Sequence, residues 1–234
     1  MNNNLLQLKI KQRLNKLASM DYDNIEVWQM MEAFNKAQVE WVRRQIHGNN
    51  ATREGDEQTR QRIDDLQILL TPFKLEGKMH PTFFESNVLP FDYMSFKRVS
   101  AQAVSECCPE PRTMDIYLAE EADADLLMTD NLKGPSFEWA ESFCTLFGRR
   151  VRIYKTKDYE YVNPKLIYYR FPRDVKFLGT VNPETNDIVI ADVTCEFKDD
   201  IVEILIDETA AILAGDIEAI TQYQRGTQNA ERNN

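Results

Sequence analysis

The chain has 234 residues, of which 43% are apolar, and carries 28 Lys and Arg against 38 Asp and Glu for a net charge of −10. This ordinary globular usage, with only 8 Gly and 9 Pro, excludes wholesale disorder, collagen-like repeats and low-complexity structure. The acidic balance argues against tight sequence-independent nucleic-acid binding, which needs a basic surface to neutralise phosphates.

Residues 4–18 place Leu5, Leu8, Leu14 and Leu17 near helical spacing, with Lys and Arg between them. They predict a first amphipathic helix. A second, longer helix is predicted over residues 24–47, capped by Asp23 with Glu26 three residues on. Its apolar face is Val27, Met31, Phe34 and Trp41, joined by Met30 and Ala37, and Gly48 ends it. At 1.5 Å per residue it would run about 36 Å. A polar loop over 48–55 leads to a third helix from about Asp56 to Leu70, closed by Pro72.

From Phe73 to Cys195 turn residues recur at short spacing, and aromatic and β-branched residues alternate with polar ones. The predicted strands are Lys97–Cys107, Thr113–Ala119, Phe137–Phe147, Arg150–Lys155, Lys165–Phe171, Val175–Gly179 and Ile188–Phe197. Gly148-Arg149-Arg150 has the look of a hairpin turn. Residues 121–130 suit a short helix, and Phe137–Phe147 also fits a helical reading. A last helix is expected over Lys198–Tyr223, followed by a polar tail. The fold class expected is α+β: a helical bundle formed by the N- and C-terminal helices with an inserted central β-rich block. The parts would be residues 1–72, 73–197 and 198–234.

No apolar run approaches the roughly 20 residues needed to span a bilayer. The start, Met1-Asn2-Asn3-Asn4, lacks the pattern of a secretory leader. Cys107, Cys108, Cys144 and Cys195 contain no CxxC pair, so free thiols are expected and a zinc site is not. With two histidines, His47 and His80, and no GxGxxG, GxxxxGKS/T or GxSxG, the chain offers no catalytic, metal or cofactor constellation. The expectation is a binding protein and not an enzyme.

Four groups are candidates for binding. Asp199, Glu203 and Asp207 form an acidic stripe on the last helix. It reads as a solvated face, as a divalent-metal site of a hydrolase or nuclease with Asp200 or Glu208, or as an acidic wall past which DNA slides. Residues 110–130 hold seven acids against Arg112 alone, a local charge of −6. Arg43, Arg44, Arg53, Arg60 and Arg62 form a basic group. Residues 1–60 are net +1 and the remainder −11, an asymmetry that would guide head-to-tail packing of copies. Tyr168, Tyr169, Arg170 and Arg173 surround Pro172 with residue types that dominate interface hot spots. Trp41 and Trp139 are expected in the core.

Three strings carry a resemblance. FNKAQVEWVRRQIHGNNATREGDEQTRQRIDDLQILL, LIYYRFPRDVKFLG and CEFKDDIVEILIDETAAILAGDIEAITQYQRG resemble virion proteins of the crAss-like tailed phages of Bacteroidetes, over roughly Asp23 to Gly226. The resemblance implies a head-to-tail connector, or ring, protein: a homo-oligomer of about twelve copies beneath the portal, made in the host cytoplasm and located in the virion. Its partners would be the portal, other connector ring or tail proteins, and double-stranded DNA passing non-specifically through the lumen, with no membrane. Interface residues would be Arg43, Arg44, Arg53, Tyr168, Tyr169, Arg170, Arg173, Tyr223 and Arg225. The lumen would be faced by Asp199, Glu203 and Asp207, and the tail over 221–234 would order on contact with a neighbour. A soluble assembly factor absent from the finished particle is the other non-enzymatic reading. Better-known short-tail adaptors are dominantly helical, and this chain departs from them by its β-rich block.

Overall fold

A computed structural model describes residues 1–14, 25–47, 63–105, 107–130, 132–181, 188–216 and 228. The chain divides into two compact units, Met1–Ile68 with Pro172–Asn234, and Leu69–Phe171.

In the first unit three helices pack on one another: α1 (Asn3–Leu14), α2 (Val27–His47) and a third over Asp199–Asp216. Helix α1 buries Leu6, Ile10 and Leu14 at helical spacing, which leaves Leu5 and Leu8 exposed. Helix α2 buries Met30, Ala33, Phe34, Ala37, Trp41 and Val42; Val27 and Met31 are only half-buried. The predicted cap Asp23 lies outside the described residues. At this helix start the Glu26 N–H donates to Gln29 Oε1 at 3.0 Å, so the side chain reaching back three residues is a glutamine. Trp41 meets Phe197 edge-to-face at 5.3 Å. A buried polar ladder locks the strap around Val175 onto α2. The Val175 N–H donates to Asn35 Oδ1 at 2.8 Å and Asn35 Nδ2 returns a bond to Val175 O at 3.2 Å. Gln38 Nε2 donates to the same Oδ1, and the Cys195 thiol donates to Gln38 Oε1. Each buried amide group thereby finds a partner, as burial demands.

The second unit is one mixed sheet of β1 (Leu70–Lys74), β2 (Gly77–Met79), β3 (Phe83–Ser86), β4 (Tyr93–Ser105), β5 (Cys108–Leu118), β6 (Glu141–Phe147), β7 (Arg150–Tyr154) and β8 (Tyr159–Arg170). Their order is β1-β8-β4-β5-β6-β7-β3-β2. All pairs are antiparallel except β5–β6. The edge strands β1 and β2 are separated in sequence by Leu75 and Glu76 alone. Three Cα steps span at most about 11 Å, whereas eight flat strands would span about 34 Å. The sheet must therefore curl so that its two edges approach each other at this corner. The corner is shared: the Leu75 N–H donates to Pro164 O on the β8 side, and Glu76 O accepts from the Asn87 N–H on the β3 side. Gly77 is required there, because a Cβ would sit 2.0 Å from Glu85 O.

The curled interior is filled by Leu75, Phe84, Val99, Met114, Ile116, Val151, Ile153, Leu166 and a layer of Tyr159, Tyr161 and Tyr168. Residues 119–140 make the crossover that a parallel pair needs. They carry a 3-10 turn (Glu121–Asp123) and α3 (Ala124–Thr129), and the crossover packs Ala124, Leu127 and Met128 on the outer-facing Phe143, Tyr154 and Phe83. The helix over Asp199–Asp216 is α4. Among the described residues no helix is long and apolar enough to cross a membrane.

The fold differs from the one expected. The organising element is an eight-stranded curled sheet with short helices, not a helical bundle holding an inserted block. Residues 70–86 supply three strands that no alternation announces: they are short, half-exposed, and interrupted by Pro72 and Gly77. Val175–Gly179 and Ile188–Phe197 are not strands. Among the described residues they are joined by the isolated bridges Lys176↔Val193 and Val181↔Ile188 and by the Gly179 N–H donating to Val189 O at 3.0 Å, not by a continuous ladder. Of the third helix, residues 56–62 lie outside the described residues, 63–66 are helical as expected, and Gln67–Leu69 is a 3-10 turn running directly into β1.

Candidate functional site

The acidic stripe of α4 faces α1. Lys9 Nζ donates to Glu203 Oε1, Arg13 Nε to Asp207 Oδ1 at 2.7 Å, and Arg13 Nη2 to Glu203 Oε2 at 3.5 Å. The α-ammonium of Met1 meets Asp199 Oδ1 at 2.7 Å and holds that carboxyl below its usual pKa. The cations come from one face of α1, where positions 9 and 13 are a helical turn apart. The stripe is thus a docking seam whose charge is met within the unit. A metal ion there would have to displace Lys9 and Arg13. Among the described residues no three His, Cys, Asp or Glu side chains gather to hold a metal ion.

The expected interface residues have diverse surroundings. Arg44 reaches the buried Glu208 on α4, while Arg43 is exposed. Arg173 is exposed, with its N–H on Glu196 Oε1 at 3.1 Å. Tyr168 and Tyr169, expected at an interface, are buried within the second unit. Tyr168 points into the curled interior, and its hydroxyl donates to Asp92 Oδ1 at 2.9 Å. Burial first, then Asp92, pushes its pKa up to about 12. Lys97 lies over the ring of Tyr169 at 5.8 Å, and Arg170 donates to Phe171 O. Arg53, Arg60, Arg62, Tyr223, Arg225 and the tail over 221–234, except Gln228, lie outside the described residues.

The acidic segment 110–130 falls on β5 and the crossover. Glu121 does not stay in solvent. With Glu85 it clamps Arg152, at 2.8 Å and 3.0 Å respectively, and it accepts from Thr145 Oγ1. The Arg152 guanidinium also lies 4.0 Å from the centroid of Phe147. Arg152, mainly through its hydrogen bond, holds Glu85 below the usual carboxylate range. Glu110, Asp115, Glu120, Asp123, Asp125 and Asp130 are exposed.

Large apolar side chains accompany these acids. Leu126, Leu132 and Trp139 are 71%, 89% and 76% exposed on the single crossover connection. Trp139 had been expected in the core. It is displayed instead on a four-residue turn closed by the Ser136↔Glu141 bridge, with Ala140 at a φ of 56°. In the first unit the described residues between Lys176 and Val193 also expose apolar side chains, Leu178, Val181, Ile188 and Ile190, the last to 90%. The ends of this segment are anchored by Asn3, whose Nδ2 donates to Lys176 O and Asp192 Oδ1. Sequence reasoning missed this exposure because an aliphatic run with alternation reads as a buried strand. The only signal was the Gly179 and Asn-Pro punctuation inside it.

Neither family models nor curated proteins give a match to this chain.

Proposed function

We propose that the chain is a structural subunit of the virion: a portal-proximal ring component of a phage head-to-tail connector, acting through surfaces that meet copies of itself and neighbouring tail proteins. The observation that carries an assembly role is the display of Leu126, Leu132 and Trp139 on one crossover connection. Several large exposed apolar and aromatic groups on one connection are the kind of feature that protein-binding surfaces carry. The three strings that resemble crAss-like virion proteins supply the setting, and the portal, tail proteins and passing DNA are the partners it implies. Quantitative mass spectrometry of purified particles tests this. The chain is expected at about twelve copies per particle, the number the resemblance implies for a closed ring. Its absence from particles that contain portal and tail proteins overturns the reading in favour of an assembly factor that departs.

A further inference from the structure

The register of the second unit places five residues in one row across the sheet. Lys74 is opposite Lys165, Lys165 opposite Ser100, Ser100 opposite Asp115 and Asp115 opposite Glu141. The adjacent row, Leu166, Val99, Ile116 and Ser142, is buried. Because side chains alternate faces along a strand, the charged row points outward, and its four charged members are exposed. Two lysines occupy one end and two carboxylates the other. Like charges directly opposite one another destabilise a sheet, and here this happens twice in one row. Among the described residues none of the four makes an ion pair or side-chain hydrogen bond. Among the described residues nothing relieves this repulsion.

The two ends do not face the same way. From the β1–β8 pair to the β5–β6 pair is three strand steps, about 14 Å along the wall. The wall is that of a curled sheet, so the lysine end and the carboxylate end look out in different directions. A two-fold contact that pairs both ends at once does not suit this geometry. A head-to-tail contact does, with the lysine end of one copy against the carboxylate end of the next. Such heterologous contacts close into rings or continue as filaments. Beside the acidic end stands Trp139, on the turn whose Ala140 O accepts from the Asp115 N–H at 2.7 Å. An exposed aromatic ringed by charge is the composition of an interface anchor.

We propose that this row is a self-docking surface whose occupant is a second copy of the chain, Lys74 and Lys165 meeting Asp115, Glu141 and the Trp139 turn. The proposal deepens the connector reading by naming a lateral contact, but it rests on the sheet register and not on the presence of the chain in particles.

The test is sedimentation velocity of the full chain at low and high salt. Wild type is expected to self-associate at low ionic strength and to weaken about tenfold or more as salt screens the contact. Lys74→Glu with Lys165→Glu makes both ends acidic, and Asp115→Lys with Glu141→Lys makes both basic. Each double variant alone is expected to lose roughly a hundredfold in affinity, from like-charge juxtaposition. An equimolar mixture of the two is expected to associate again. All four positions are exposed, and matching thermal melts establish that the variants fold. Should one fail to fold, Lys74→Gln with Lys165→Gln replaces it, with weakened association expected. Wild type monomeric at every salt, variants that associate like wild type, or a mixture that stays monomeric overturns the proposal. Detection of the chain in virions alongside any of these results leaves the connector reading standing and removes only this surface.

Discussion

Arg13 Nε lies 2.7 Å from Asp207 Oδ1, joining two residues 194 positions apart and tying α1 to α4. Asp207 is buried, so its charge is compensated chiefly by this guanidinium. Arg13→Ala is expected to destabilise the fold more than Asp207→Asn, because it strands a buried carboxylate. A double-mutant cycle read by denaturant unfolding should return a coupling of about 1 kcal/mol, within roughly 0.5–3 kcal/mol.

Closure of the curled sheet hangs on Gly77. A methyl group there would meet Glu85 O at 2.0 Å and Ser86 Cα at 2.7 Å, both backbone atoms that cannot swing aside. Gly77→Ala is expected to cost about 2–3 kcal/mol or more, read as a lowered thermal midpoint.

The β6–β7 hairpin turns through Gly148 and Arg149 with φ of 55° and 58°. Both central residues at positive φ make this the turn whose twist suits a two-residue hairpin. Arg149 holds a left-handed conformation that costs an L side chain about 1–2 kcal/mol. Arg149→Gly is therefore expected to raise stability by roughly 0.5–1 kcal/mol, net of the chain entropy glycine adds. Equilibrium urea unfolding checks it.

The four thiols divide by burial. Cys107 and Cys108 are exposed, Cys144 and Cys195 buried. Burial pushes Cys144 up to about 12 and Cys195 to about 11, so thiolate is scarce at both near neutral pH. Ellman's reagent is expected to titrate two thiols rapidly in the native protein and four after denaturation. Three or four fast thiols in the native state would contradict this placement.

The pH limits follow from opposite signs. Glu85 is held below its ordinary 4.5 by Arg152. The stability it contributes is present above the unfolded value and is lost as pH falls through the lower folded one. Tyr168 sits above its ordinary 10.0, at about 12, and burial moves Tyr159 and Tyr161 the same way. Their contribution is present below pH 10 and is lost as pH rises through the folded values. Thermal melts across pH should fall away on both sides, and Glu85→Gln should flatten the acid arm while leaving the alkaline arm unchanged.

What could be read from the chain alone was local. The spacing of Met30, Phe34, Ala37 and Trp41 placed α2, the alternation around β4 to β8 placed the larger strands, and Gly148-Arg149 placed a turn. Periodicity of this kind records which face of an element is apolar, because each residue's burial repeats with the helix or strand period. It does not record what that face meets. The stripe of Asp199, Glu203 and Asp207 read first as a solvated face, with metal site and lumen wall as alternatives; its partners, Lys9 and Arg13, lie at the other end of the chain. Strands β1 to β3 were invisible because their stability comes from non-local pairing with β8 and β7, not from their own composition. The approach of the two edges at Leu75 and Glu76, the outward turn of Trp139, and the row from Lys74 to Glu141 are likewise products of register. Register is fixed only when distant strands share one buried interior.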